Sequence, residues 1–156
     1  EEVKTAEHVD VIGLYLRERI PAGTPARQAC ERIREQGGIV YVPHPFAAGK
    51  GAGIRVLEQI ADLVDIVEGF NARLGARRNA LARMWAATRG LPLGAGSDAH
   101  TLREVGRAWV ELPPFQDEPA AFLAALREAT VHGRTSSPLV HLASTYARLK
   151  KRSARR

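Results

Sequence analysis

The chain holds a single cysteine in 156 residues. No internal disulfide can form, which removes the small crosslinked secreted scaffolds from consideration. Cys30 falls on the apolar stripe of a predicted helix, the place of a buried thiol in a reducing compartment. Long apolar runs are missing as well. Nothing approaches the roughly 18 consecutive apolar residues of a membrane-spanning helix, and no charged-then-apolar leader opens the chain. The expectation is a soluble, cytoplasmic protein without a membrane partner. Repeats are absent, and biased sequence is confined to the C-terminus, where acid is missing altogether. Residues 147–156 carry Arg148, Lys150, Lys151, Arg152, Arg155 and Arg156, which together equal the whole formal charge of +6. The rest of the chain is neutral overall, so net charge gives no argument for a nucleic-acid partner. A basic end of this kind reads first as a solvated tail and second as a contact to a phosphate backbone.

What is present is enough apolar sequence for one domain. With 45% hydrophobic and 26% charged residues, the chain can bury a core of its own and does not have the composition of a disordered segment. It opens at Glu1 rather than at a methionine and passes almost at once into strand-like sequence, so a piece of a longer protein is expected.

Residues 9–16, with Val9, Val11, Ile12 and Tyr15, have the β-branched and aromatic content of a strand. A connector closes at Thr24-Pro25, read as an N-cap followed by proline at the first helical position. The helix from there to Gln36 puts Ala26, Ala29, Cys30 and Ile33 on one face, and Gly37-Gly38 stops it. Residues 39–42 form a short, continuously apolar strand that runs into Pro43-His44-Pro45. The rhythm then repeats. A helix over 54–61 leads to a strand over 64–67 that ends at Glu68, with Phe70 and Asn71 just beyond. A helix over 76–88, with Leu81, Met84 and Trp85 on its core side, leads to a strand over 93–95 that ends in Gly96-Ser97-Asp98-Ala99-His100. A strand over 108–112 follows, then a helix from Asp117-Glu118-Pro119 to about Val131, and a last helix opening at Ser137-Pro138. Helix, glycine, buried strand and a polar residue at the strand's carboxyl end make the pattern of a parallel α/β fold.

On extended backbone, residues i and i+2 point to the same side, so Asp98 and His100 can face one ion. Alone, that pattern is matched equally well by a helix-capping Asp and an ordinary loop histidine. It gains weight because Glu2, His44, Glu68 with Asn71, and Asp98 with His100 all follow apolar strands or, for Glu2, stand where one would end. Carboxyl ends of strands are where α/β folds build their sites. Imidazoles with carboxylates suit Zn, Mn or Fe, and several carboxylates together often hold more than one ion. The other histidines have plainer readings. His8 precedes a strand, His132 ends a helix beside Gly133 where its charge complements the helix dipole, and His141 lies beside the apolar stripe of the last helix.

Four stretches in order, Glu1-Glu2-Val3-Lys4-Thr5, residues 36–46 around Val42-Pro43-His44-Pro45, Val67-Glu68-Gly69-Phe70-Asn71-Ala72-Arg73, and Gly96-Ser97-Asp98-Ala99-His100, resemble the later motifs of the PHP (polymerase and histidinol phosphatase) superfamily. The resemblance runs to about residue 110, and the C-terminal helix is similar to the one that follows the domain in bacterial stand-alone members. It implies a distorted (β/α)7 barrel of PHP type, incomplete because its first strands are missing, with a C-terminal helix: a partial domain over 1–135, then helix and basic tail over 136–156. It also implies two or three divalent ions (Mn, Zn or Fe) and hydrolysis of a phosphomonoester, a nucleotide or a nucleic-acid end by a metal-bound hydroxide. Carried onto this sequence, Glu2 corresponds to a carboxylate that bridges two metals, His44 to the histidine after a middle strand, and Asp98 and His100 to the last ligand pair. His44, Asp98 and His100 are then the catalytic candidates, while Glu68, Asn71 and Arg73 touch substrate or brace the ligands. Lys50, Arg73, Arg103 and Arg107 are candidates to meet substrate phosphate. The departure is at the front: the family opens with a His-x-His pair and a following Asp-His segment, and neither precedes Glu1. Truncation is therefore expected, with weak metal binding and little activity from this chain alone. Two other readings stay open, a non-catalytic nucleic-acid or polymerase-associated module that uses the basic tail, and a metal-dependent hydrolase of C–N bonds.

Overall fold

Gly37 and Gly38 turn the first long helix into the sheet. Gly37 takes φ +75°, and the Gly38 N–H donates to the Ile33 carbonyl at 2.9 Å, the closing bond of a left-handed helix cap. A Cβ on Gly38 would meet the carbonyl oxygens of Leu14 and Ile33 at 2.7 and 2.9 Å. Helix and sheet thus approach to backbone contact at that point, which only glycine permits.

The computed structural model describes residues 1–49 and 52–136. In chain order these form β1 (Glu2–Lys4), β2 (Asp10–Leu14), α1 (Ala26–Glu35), β3 (Ile39–Val42), α2 (Gly53–Ile60), β4 (Ile66–Asn71), α3 (Ala76–Ala87), β5 (Leu93–Gly96), a 3-10 turn (Leu102–Glu104), β6 (Ala108–Glu111), α4 (Pro119–Arg127) and β7 (Thr130–Gly133). The main sheet has the order β1-β2-β3-β4-β5. As the α/β rhythm predicts, β3, β4 and β5 are parallel neighbours, joined through α2 and α3. The first two strands depart from it: β1 pairs antiparallel with β2, and β2 antiparallel with β3. The architecture is a mixed α/β fold with a five-stranded sheet and four helices. Among the described residues the sheet keeps β1 and β5 as its two edges, and no closed barrel forms.

Several local expectations change. Thr24 does not cap α1; its hydroxyl donates to the Pro21 carbonyl at 2.7 Å, and the free Ala26 N–H is taken instead by the Glu7 carboxylate at 2.8 Å. In α3 the buried positions are Asn79, Ala82, Trp85 and Ala86, whereas Leu81 and Met84 are 40% and 65% exposed. The inward stripe follows 79, 82 and 86, the helical spacing of small and polar residues, and Leu81 and Met84 sit to its side. Strand β6 joins β7 in a separate two-stranded antiparallel ribbon. The helix expected to reach Val131 stops at Arg127, because the β-branched Thr130 and Val131 pair with Glu111 and Val110. His132 is accordingly a strand residue, its ring stacked on Trp109 with centroids 5.2 Å apart. The last predicted helix, with His141, lies outside the described residues, as does Lys50.

The sheet packs its two faces differently. Val3, Val11, Val40, Val42 and Val67 face α1, α2 and α3 in one apolar core that includes Cys30, Ile33, Leu57, Ile60 and Ala86. Burial pushes the Cys30 thiol up to about 12, so it is protonated and inert as well as unpartnered for a disulfide. The alternate residues Leu14, Ile39, Tyr41 and Ile66 meet α4 and the ribbon through Leu126, Phe122 and Val110. That contact leaves a cavity of about 300 Å³ between the sheet and α4, with Glu68, Gly94 and Gly96 in its wall.

Candidate metal centre

Strand register sets the site. Residues opposite one another in a ladder share a face, and here Lys4 lies opposite Asp10, Glu2 opposite Ile12, and Ile12 opposite Tyr41. The antiparallel run of β2 therefore brings Asp10, its first residue, level with the carboxyl end of β3, where His44 follows. Glu2 on β1 sits on the same face as Asp10. The ligand-capable atoms of Glu2, Asp10 and His44 all lie within 4.8 Å of one another. Asp10 and His44 are 5% and 4% exposed, and Glu2 is open to solvent. His44 Nε2 stands 3.7 Å from Asp10 Oδ2, while Asp10 Oδ1 faces Lys4 Nζ at 3.6 Å. Bond lengths near 2.1 Å to nitrogen and oxygen put neighbouring ligand atoms roughly 3–4 Å apart around one ion. Two carboxylates and an imidazole at this spacing fit a divalent cation.

His44 reaches the cluster from a strained turn. Its φ is +29°, a conformation that costs a non-glycine residue about 1–3 kcal/mol and persists where its surroundings fix it. The fixing group is Glu68, whose Oε2 accepts the His44 N–H at 2.7 Å and the Asn71 Nδ2–H at 2.9 Å. Glu68 is itself 5% exposed. Its Oε1 lies against Gly96, where any Cβ would strike it. Burial pushes the Glu68 carboxyl above its ordinary 4.5, the Asn71 and His44 hydrogen bonds pull it back, and the charge of Asp98 adds to the rise; the net shift is upward. The same packing and the Glu68 charge raise Tyr41, which hydrogen-bonds to Glu68.

Glu68 was expected to end its strand with Asn71 just beyond; both instead lie within β4, which continues to Asn71 because its pairing with β5 resumes after an irregularity between Glu68 and Phe70. Asn71 is clamped from α3: Asn79 Oδ1 accepts its N–H at 3.0 Å and Asn79 Nδ2 donates to its carbonyl at 3.1 Å. Asn71 Oδ1 in turn accepts the Arg73 N–H at 2.9 Å. The Arg73 side chain, 6% exposed, is ion-paired to Glu104 at 3.5 Å.

Asp98 follows β5 with φ +46°, so His44, Asn71 and Asp98 stand at or past the same ends of three parallel strands. His100 turns back on Asp98, its Nδ1 2.7 Å from the Asp98 carbonyl oxygen and 3.7 Å from Asp98 Oδ1. Of the four ligands carried over by resemblance, Glu2 and His44 belong to the close group; Asp98 and His100 lie outside it. Arg103 and Arg107 are exposed. Two residues of the site had gone unnoticed in the sequence. Asp10 is an acid inside the apolar run Val9-Asp10-Val11-Ile12, a place where an unpaired carboxylate is costly and therefore informative. Glu104 ends a Thr-x-x-Glu sequence from Thr101, the pattern of a capping box.

A family model described as PHP-associated matches residues 76–131. Uncharacterized protein MJ0417 of Methanocaldococcus jannaschii is 36% identical over 142 residues, which are 83% of this chain and 60% of that protein. Uncharacterized protein MJ1587 of the same organism is 43% identical over 72 residues, 46% of this chain and 40% of that protein. The chain thus spans only part of the length of the relatives it matches. Among solved structures, PsfC from Pseudomonas syringae PB-5123 shares the fold with a TM-score of 0.68 at 22% identity, covering 96% of this chain and 64% of PsfC. A two-domain protein from Bacteroides vulgatus containing a predicted PHP-like metal-dependent phosphoesterase gives a TM-score of 0.61 at 14% identity, covering 85% of this chain and 43% of that one. The PHP-associated match begins at α3 and takes in the Asp-Ala-His sequence that follows β5, and these likenesses support a relation to the PHP superfamily.

Proposed function

We propose that this chain forms part of a metal-dependent phosphoesterase, with Glu2, Asp10 and His44 holding one divalent ion and Asp98 and His100 contributing to the same rim. The observation that carries the reading is the convergence of Glu2, Asp10 and His44 within 4.8 Å. It is supported by the likeness in fold to the Bacteroides vulgatus protein with its predicted PHP-like phosphoesterase. A divalent ion bound there supplies water of lowered pKa and neutralises charge on phosphoryl oxygens.

The residues of the chain do the rest. Asp10 and His44, both buried, hold their donor atoms 3.7 Å apart. Glu68 holds the turn that aims His44, through the His44 amide. With its Nδ1 engaged by the Asp98 carbonyl, His100 has Nε2 left for a ligand or for proton transfer to a leaving oxygen. Of the basic candidates Arg73, Arg103 and Arg107, the last two are exposed and open to an approaching phosphate. Substrates in this reading are phosphomonoesters, nucleotides or nucleic-acid ends.

The test is metal content after dialysis against Mn²⁺ or Zn²⁺, with turnover of a chromogenic phosphoester, on the chain and on Asp10→Asn. Bound metal that is lost in the variant, together with metal-dependent turnover, upholds the proposal. Retention of metal by Asp10→Asn overturns the site, and metal binding with hydrolysis of amides instead of phosphoesters overturns the reaction.

A further inference from the structure

Glu104 is the most deeply buried acid of the described residues, at 1% exposure. In a capping box on a surface turn the glutamate stays in solvent; here it is packed between two loops and tied to both. Its Oε2 accepts the His100 N–H at 3.1 Å and the Thr101 hydroxyl at 3.0 Å. Its Oε1 faces Arg73 Nε at 3.5 Å. From Arg73 the connection continues without a break: the Arg73 N–H goes to Asn71 Oδ1, Asn71 Nδ2 goes to Glu68 Oε2, and Glu68 Oε2 takes the His44 N–H. One buried polar chain therefore runs from the loop after β5 to the turn after β3. One end of that chain is the His44 amide and the other the His100 amide, and positive φ occurs at His44 itself (+29°) and at Asp98 (+46°), two residues before His100.

A non-glycine residue stays in that region only when its neighbours hold it. Asp98 sits two residues before the amide that Glu104 grips, and the His100 ring in turn folds back on the Asp98 carbonyl. We propose that Glu104 is a positioning residue: paired with Arg73, it locks the 98–101 loop to the end of β4 and so sets where Asp98 and His100 present their ligand atoms. The inference rests on the reading of Asp98 as a metal ligand. A residue that orients a ligand from behind typically governs metal affinity by about 10–100-fold. Glutamine at 104 keeps the shape but removes the charge that holds Arg73, and leaves a single carbonyl oxygen to serve both loops.

The experiment is a Co²⁺ titration of the chain, read by the visible absorption spectrum and by calorimetry. The proteins are the parent, Glu104→Gln, Thr101→Val, Asp98→Ala and Ile33→Ala, the last a destabilising control on the far face of the sheet. The expected result is a Co²⁺ affinity at least tenfold weaker in Glu104→Gln, with an altered spectrum at saturation. Thr101→Val should move both readouts in the same direction by less, and Ile33→Ala should leave both unchanged. If Glu104→Gln, or Thr101→Val should the former not fold, matches the parent while Asp98→Ala does not, the positioning role is wrong and the metal reading stands. If Asp98→Ala itself matches the parent, Asp98 is not a ligand and the inference falls with that reading. If Ile33→Ala changes affinity and spectrum as Glu104→Gln does, the effect is general destabilisation and the positioning role is again wrong.

Discussion

The two faces of the five-stranded sheet are built from alternate residues of the same strands and differ in their polar content. One face, Val3, Val11, Val40, Val42 and Val67, is aliphatic and covered by three helices. The other carries Glu2, Asp10, Tyr41 and Glu68 among its apolar residues and meets α4 across a cavity. Because the side-chain period of a strand is two, each strand holds both programmes interleaved, and a slip of one residue would exchange them. Stability should therefore be lost mainly by changes on the helix face, and metal binding mainly by changes on the other.

The largest expected effect tests the first half of that contrast. Ile33 on α1 is fully buried against the helix face, and truncation to alanine should cost about 2–5 kcal/mol of unfolding free energy. Urea denaturation in chelator reads this directly, while metal affinity at a temperature where the variant is folded should be unchanged. A large drop in affinity would show that the two faces are not independent. The converse variant is Asp10→Asn, which removes a donor charge while keeping the shape. Metal affinity should fall by more than the roughly tenfold that loss of a mere orienting partner costs, with little change in the unfolding midpoint of the metal-free protein. Calorimetric titration with Zn²⁺ or Mn²⁺ checks it, and an unfolding loss larger than the binding loss would place Asp10 with the core instead.

Between these in size lies a change on the site face that should touch both stability and binding. Gly96 at the end of β5 abuts Glu68 Oε1 so closely that a Cβ has no room. Glu68 cannot swing aside at low cost, because its other oxygen holds the His44 amide and Asn71. Gly96→Ala should therefore destabilise by about 1–3 kcal/mol, as overpacking does, and weaken metal binding through His44. Amide exchange at His44 would report the broken bond; if Gly96→Ala leaves both stability and exchange at parent values, the close packing of Glu68 on β5 is wrong.

The helix face was legible in the sequence and the other largely was not, for a physical reason. Buried parallel strands and the helices between them announce themselves as apolar runs punctuated by glycine, and residues 39–42 and 93–95 fall within or upon β3 and β5 as expected. The stripe Ala26, Ala29, Cys30, Ile33 is buried as its spacing requires. Antiparallel pairing of β1 and β2 leaves no such mark, since nothing local distinguishes it from a parallel neighbour. Asp10 became a site residue only through that pairing, which carries it from the start of one strand to the end of another. Residues that follow strands, such as His44, could be found one at a time; residues that reach the rim by running the other way could not. Glu104 was hidden differently, as a capping residue whose burial depends on Arg73 from a distant loop.

The smallest expected effect compares two buried acids of the rim, Glu68 and Glu104, whose carboxyls shift in opposite directions. Burial, aided by the charge of Asp98, holds Glu68 above its ordinary 4.5 despite the Asn71, His44 and Tyr41 hydrogen bonds. For Glu104 burial also pushes upward, but the His100 amide, the Thr101 hydroxyl and Arg73 outweigh it and the net shift is downward. Linkage gives each a sign. Between 4.5 and its raised value, Glu68 holds a proton in the folded state that the unfolded chain has released, so stability falls as pH rises through that window. Glu104 remains ionised in the folded state below 4.5, where the unfolded chain takes up a proton, so its contribution is present above 4.5 and is lost as pH falls. Each full proton of difference is a slope of about 1.4 kcal/mol per pH unit. In metal-free urea titrations from about pH 3 to 8, Glu68→Gln should gain on the parent as pH rises above 4.5. The deficit of Glu104→Gln should be greatest there and narrow as pH falls below it. Curves for Glu68→Gln and the parent that run parallel over the whole range would mean that the Glu68 carboxyl ionises as freely in the folded protein as in the unfolded chain, and that the wall of the cavity is wetter than its apolar lining indicates.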